Sequence, residues 1–303
     1  MLFESQYLSL PTKGILSGIV VLFFLSSCQN SREENSQVSD QMPFIKEERA
    51  LEIEASQKFN PKKKREEVRH NAKLDSLRMA KALSFAQEIA QSKLNQKQYH
   101  KEFLFNPGDS SYLINVAILM GDFFDDEFKY LIFKRGCTWA SFRDVFRIEN
   151  EEKVKLFSTT GSGVITDRDT IFDVNGDERK DYVIQWYAAS GCCRRNAYDV
   201  YLNLPGGTFS SKYEFINPTF SADERLIRGV TYGHPGEAGL YKYRWNGLKV
   251  DTLEYIYHDT SQVGQFIKTH KPTFFPSAEE GVVLNDLPEE YKGIEDYDWF
   301  SIY

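Results

Sequence analysis

The sequence predicts a mainly β, antiparallel body with an amphipathic helix on its N-terminal side, and three observations predict it. The runs "YLINVAILM", "FKYLIFK", "VKLFSTT", "DYVIQWYA", "AYDVYLNL", "YKYRW" and "KVDTLEYIY" are short, rich in β-branched and aromatic residues, and separated by turn residues. Asn246-Gly247 stands between the last two, the dipeptide that a two-residue hairpin turn favours. Residues 61–98 contrast with this texture: after Pro61 they hold neither Gly nor Pro and are rich in Lys, Ala, Leu, Gln and Glu, all good helix formers.

Each segment can be justified in chain order. Lys13 precedes "GILSGIVVLFFL", an apolar run of 12 residues. A membrane-spanning helix needs about 20 such residues and a signal-peptide core about 7–15, so residues 1–28 are expected to be a targeting segment. The run ends in "LSSC", Leu25 to Cys28, which resembles the bacterial lipobox. That resemblance implies cleavage before Cys28, lipid modification of its thiol, and a membrane anchor in the cell envelope. Residues 29–60 are polar and charged without a regular apolar pattern, the composition of a disordered tether. Their start, "QNSREENSQ", resembles the acidic export stretch of outer-membrane lipoproteins, which implies the outer membrane, on its periplasmic or surface face.

Charge divides along the chain. Residues 61–100 hold ten Lys/Arg against four Asp/Glu, whereas residues 101–303 hold 22 against 32. An acidic body argues against nucleic acid as a partner. The basic stretch 61–100 reads as one helix with two apolar clusters. Leu74, Leu77, Phe85 and Ile89 share an arc of roughly 120°, while Met79, Leu83, Ala90 and Leu94 lie on another side. A stalk or a helix lying on the β body is the expected role.

Residues 101–303 form the β-rich domain. Within "AYDVYLNL", Tyr198, Val200, Leu202 and Leu204 alternate with Asp199, Tyr201 and Asn203, the period of a half-buried strand. From Lys271 onward turn residues, acids and aromatics lack periodicity, and the chain is expected to wrap the body.

The loop 173–181 carries the densest chemistry. Asp173, Asn175, Asp177 and Asp181 stand at positions 1, 3, 5 and 9 between two apolar runs, with Gly176 freeing the turn and the Arg179 carbonyl at position 7. Ca²⁺ takes six to eight oxygen ligands, and side chains at alternate positions of a tight loop converge on one point. The other reading is a calcium-free turn in which the Asp and Asn side chains bond to their own backbone amides. Position 12 is Ile184, so the bidentate Glu of an EF-hand is absent.

"FDVNGDERKDYVI" resembles the calcium loop of FG-GAP/VCBS repeats, through Phe172, Asp173, Asn175, Gly176, Asp177 and Asp181; Glu178 stands where that pattern has a second Gly. The resemblance implies a β-propeller-like body with one structural Ca²⁺ held by Asp173, Asn175, Asp177, Arg179 and Asp181. There is no second copy of the motif, so a ring of identical blades is not implied. Residues 215–257 also resemble the C-terminal part of small exported propeller-like proteins, some of which are lysozyme inhibitors or immunity proteins. That implies a non-enzymatic protein that binds or inhibits a protein or cell-wall component.

With Cys28 assigned to lipid, three cysteines remain. In an oxidising compartment Cys137 is expected to pair with Cys192 or Cys193, and a vicinal Cys192–Cys193 bond is the alternative. Adjacent cysteines suit zinc poorly, because such sites space their ligands by two to four residues. The five histidines form no H-x-x-x-H pair, and no G-x-S-x-G occurs. His234, in "YGHPGEAG", is the one position around which a hydrolase site is conceivable. A purely structural envelope lipoprotein is the remaining alternative.

Overall fold

The computed structural model describes residues 61–302 except 109–111, 126, 139, 163, 189–195 and 274–275. The lipobox with Cys28, the expected tether 29–60, and Cys192 and Cys193 lie outside the described residues. Pro61–Gln91 form helix α1. The first sheet is a meander of β1 (Tyr99–Phe105), β2 (Ile114–Gly121), β3 (Lys129–Cys137), β4 (Ala140–Glu149) and β5 (Glu152–Ser162), paired in that order. Next come β6 (Val164–Phe172), β7 (Asp181–Ala188) and β8 (Asn196–Tyr201), then the small pair β9 (Asn203–Leu204) and β10 (Thr208–Phe209), then β11 (Tyr213–Ile216). The second sheet has the order β11-β8-β7-β6. The third runs β12 (Pro218–Ser221), β13 (Leu226–Val230), β14 (Leu240–Asn246), β15 (Lys249–His258), β16 (Phe266–Thr269) and β17 (Val282–Leu284). A 3-10 turn, Glu289–Tyr291, and the short helix α2, Tyr297–Ser301, end the fold. Every paired strand is antiparallel, and Asn246 pairs with Lys249 across the hairpin turn, where Gly247 takes φ +60°.

The period of two along each central strand decides how these parts stack. In β3, Leu131 and Phe133 face a core shared with Met79, Ala82, Ala86 and Ala90 of α1, while Tyr130 and Ile132 face one shared with Tyr182, Ile184 and Trp186 of the second sheet. Val183 of β7 turns the other way, to a core with Ile227, Tyr241, Trp245, Tyr255 and Tyr257 of the third sheet. Leu240 and Ile256 face a fourth core closed by Tyr291, Ile294 and Phe300. Helix, three sheets and C-terminal segment therefore form successive layers, in agreement with the wrapping role expected after Lys271.

Two expectations are corrected here. No sheet among the described residues closes into a barrel or propeller: the outer face of the first sheet is covered by α1 and that of the third by the C-terminal segment, so neither end face is left to meet the other. Of its two apolar clusters, the helix packs by the one that holds Met79 and Ala90. Met79, Ala82, Ala86 and Ala90 are buried, whereas Leu74, Leu77 and Phe85 are 36, 54 and 43% exposed. Small side chains let the helix approach the sheet closely. α1 stops at Gln91 and β1 begins at Tyr99, so the helical part of 61–100 is shorter than expected.

Buried charge fixes the layers against each other. Arg135 of β3 donates to the Met79 carbonyl of α1 at 2.6 Å and pairs with Asp144 of β4, both side chains being buried. Lys129 donates to the carbonyls of Leu94 and Gln96 in the turns that follow the helix. On the other face, Asp169 of β6 pairs with Arg143 at 3.1 Å and Lys134 at 2.6 Å and accepts the Tyr182 hydroxyl. Burial alone pushes the Asp169 carboxyl up, but Arg143 and Lys134 outweigh it and hold the carboxyl below its ordinary range.

Two outcomes follow from these pairs. Asp144→Ala strands a buried guanidinium and should cost about 3–5 kcal/mol, read from the shift of the urea midpoint at constant slope. Because the folded-state pKa of Asp169 is depressed, its stabilisation is complete above the ordinary carboxylate pKa and is lost as pH falls through the folded value. Unfolding free energy measured from pH 6 down to pH 2 should therefore drop less steeply in Asp169→Asn than in the parent.

Candidate functional site

The loop between β6 and β7 is built by its own polar side chains. Asp173 Oδ1 accepts the amides of Asn175 and Gly176 at 3.0 and 2.7 Å, and its Oδ2 accepts that of Glu178 at 2.8 Å. Asn175 Oδ1 accepts the Asp177 amide and Asp177 Oδ1 the Arg179 amide, at 3.1 and 3.0 Å. Each polar side chain at an alternate position thus takes up amides that the tight turn leaves without a ladder partner. Val174, between them, is fully buried in the core shared by the second and third sheets.

Asp181 ties this loop to the rest of the molecule. Its Oδ2 accepts the Val174 amide at 3.0 Å, and its Oδ1 accepts the amide of Asn203 in β9 at 2.8 Å. The side chain is 0% exposed. Its carboxyl is pushed up to about 7, by burial first and by the charges of Asp177 and Asp173, with the two amides pulling it partly back. Asp173 and Asp177 therefore act on Asp181 electrostatically across the loop.

The loop is also seated on the third sheet. Gly176 has φ +76°, and a Cβ there would lie 2.3 Å from the Ala222 carbonyl in the β12–β13 turn. Arg225 of the same turn donates to the Gly176 carbonyl at 3.3 Å, and the Phe172 and Phe220 rings meet edge to face at 6.0 Å. Glu178 takes φ +68°, the left-handed region that a glycine would occupy without strain.

The structure thus brings Asp173, Asn175, Asp177 and Asp181 into one loop with the self-bonded pattern of the calcium-free reading. The donor chemistry also fits a hard cation: Asp173 Oδ2, Asn175 Oδ1, Asp177 Oδ1 and both Asp181 oxygens accept one hydrogen bond each and retain a lone pair, whereas Asp173 Oδ1 accepts two. Among the described residues no three His, Cys, Asp or Glu side chains form a ready-made metal cluster, so Asn175, backbone carbonyls such as that of Arg179, and water would have to complete any coordination shell. Spacing revealed the loop side chains, but Asn203, Ala222 and Arg225 were not legible, because they arrive from later strands.

The other candidates lie apart from this loop. Half-buried Cys137 accepts the Tyr112 hydroxyl at 3.5 Å and has no disulfide partner among the described residues, its expected partners Cys192 and Cys193 lying outside them. Exposed His234 belongs to a turn in which its carbonyl accepts the Glu237 and Ala238 amides at 3.0 and 3.1 Å. That turn is held to α2 by Trp299, whose indole donates to the Gly233 carbonyl at 2.9 Å. Comparison of the chain with protein-family models, curated proteins and solved structures returned no match.

Two substitutions report on the seating of the loop. Gly176→Ala meets both the positive φ and the Ala222 carbonyl and should lower stability by at least about 1–2 kcal/mol. Glu178→Gly relieves about 1–2 kcal/mol of left-handed strain against about 0.5–1 kcal/mol of added chain entropy, so a small rise in melting temperature is expected in calorimetry.

Proposed function

We propose that this chain is a non-enzymatic, lipid-anchored cell-envelope protein whose β body holds one structural Ca²⁺ in the 173–181 loop and binds or inhibits a protein or cell-wall component. The observation that carries the calcium part is the loop itself. Three aspartates and one asparagine at alternate positions surround a turn locked to β9 and to the β12–β13 turn, with one carboxyl, that of Asp181, pushed upward by burial and by its acidic neighbours. A divalent cation held by Asp173, Asn175, Asp177, Asp181 and the Arg179 carbonyl would offset that repulsion and stiffen the contact between the second and third sheets. The anchor part rests on "LSSC" after the apolar run, with Cys28 as the lipidated residue. The binding part rests on the resemblance of residues 215–257 to small exported propeller-like proteins, some of which are lysozyme inhibitors or immunity proteins.

Calcium at a hundredfold excess over its dissociation constant should stabilise the fold by about 2.7 kcal/mol. EDTA should then lower the melting temperature and Ca²⁺ restore it, with Mg²⁺ a poor substitute because it demands a tighter octahedron. Asp173→Ala and Asp177→Ala should abolish the difference, while His234→Ala should leave it intact. Melting that is indifferent to chelator, with no Ca²⁺ uptake in calorimetry, would make the loop a self-bonded turn and nothing more. For the anchor, Cys28→Ser should move the protein out of the membrane fraction or leave it unprocessed.

A further inference from the structure

We infer that the outward face of α1 docks on an anionic phospholipid surface. Among the described side chains none from Lys62 to Arg78 is buried, and Met79 is the first that packs on the first sheet. A helix of 31 residues is about 46 Å long, so about 25 Å of α1 extends with no buried side chain beneath it. Helices in water are marginal without tertiary packing. This one is weakened further by its own charges: its first turn carries no acidic residue, and Lys62-Lys63-Lys64-Arg65 sit at the positive end of the helix dipole. A stretch so placed gains most from an anionic partner.

The outward face has the composition of an interfacial helix. Leu74, Leu77 and Phe85 fall within an arc of roughly 80° that also holds Lys81 and Glu88, with Arg78 just beyond its edge. They line an open groove of about 720 Å³ whose far wall is Phe105, Pro107 and Gly108. Arg78 is pre-positioned there by Asp75 at 3.0 Å and by the Tyr112 ring 4.3 Å beneath it. Apolar side chains flanked by cations enter the boundary between headgroups and acyl chains while the cations meet phosphate.

Charge complementarity selects which side of the molecule approaches. α1 holds eight Lys/Arg against four Asp/Glu, whereas residues 101–303 hold 22 against 32, so a phosphate-rich surface attracts the helix and repels the body. The helix begins 33 residues after Cys28. The inference deepens the membrane-anchored reading without depending on the acyl chain, since the helix surface supplies its own attraction.

The test is hydrogen exchange of the full chain mixed with vesicles of phosphatidylethanolamine and phosphatidylglycerol, compared with vesicles of phosphatidylcholine alone. Amides of residues 66–78 should exchange about tenfold more slowly on the anionic vesicles. The protection should fade near 1 M salt, where screening leaves a Debye length of about 3 Å. The paired variants Leu74→Glu/Leu77→Glu and Lys73→Glu/Lys81→Glu change only exposed side chains and should lose the protection with the sheets unperturbed. Equal exchange on the two vesicle types would overturn the inference. So would protection that grows with protein concentration in the absence of vesicles, which would assign the face to a second copy of the chain. Acyl mass at Cys28, read in the same samples, scores the anchor separately: a lipidated chain with an unprotected α1 defeats this inference and spares the anchor.

Discussion

A strand buried on both faces must divide its side chains between two cores, and that constraint organises the molecule. Tyr130 and Ile132 serve one core while Leu131 and Phe133 serve another, and Tyr182 with Ile184 lies opposite Val183 in the same way. A shift of one residue in register would exchange the two sets, carrying Arg135 toward the aromatic layer and Lys134 toward the helix. The buried ions mark the correct register. Arg135 reaches the helix backbone and Asp144 on one face, and Lys134 and Arg143 reach Asp169 on the other. Their value lies as much in specifying how layers meet as in net stability, since apolar side chains of similar volume would fill the same space at less desolvation cost.

The sheets were legible in the sequence to the extent that local chemistry decides them. Asn246-Gly247 fixed its hairpin because only residues tolerant of positive φ suit that turn, and the β-rich runs matched strands because packing on a pleated surface favours branched and aromatic side chains. The helix was legible as a helix with two apolar clusters, but which of them meets the sheet was not. Leu74, Leu77 and Phe85 are the more hydrophobic set, yet close approach to a sheet selects Ala82, Ala86 and Ala90, and no single-residue scale contains the distance between layers. The propeller-like expectation came from a local motif and from the resemblance of residues 215–257 to propeller-like proteins. Such a loop specifies a hairpin, while the number of sheets and what covers the end faces are set by the whole chain.

The loop 173–181 divides in the same manner. Alternating Asp and Asn announced a tight turn with inward oxygens, and that is its geometry. What holds it to the body comes from elsewhere: the Asn203 amide on Asp181, and the Ala222 carbonyl that leaves no room for a side chain at Gly176. Residues far apart in the chain but in contact in the fold leave no periodic trace, so the seating of a loop is the part of a site that sequence conveys least.

The fourth core has a consequence for how the chain comes to be folded. Leu240 and Ile256 of the third sheet are covered by Tyr291, Ile294 and Phe300, which are synthesised after the strands they cover. Until they emerge, a sheet face bearing Val230, Leu240 and Ile256 has nothing over it, while the layers nearer the N-terminus already hold all their partners. During synthesis the molecule would therefore pass through a species finished at one end and sticky at the other, the kind of surface that holding chaperones recognise. The late-arriving cover is held by charge as well as by apolar contact: Glu290 meets Arg228 and Lys242, both at 2.7 Å. Those ion pairs attract over longer distances than apolar contact does, and so favour capture of the tail by its own sheet over encounter with a neighbouring chain.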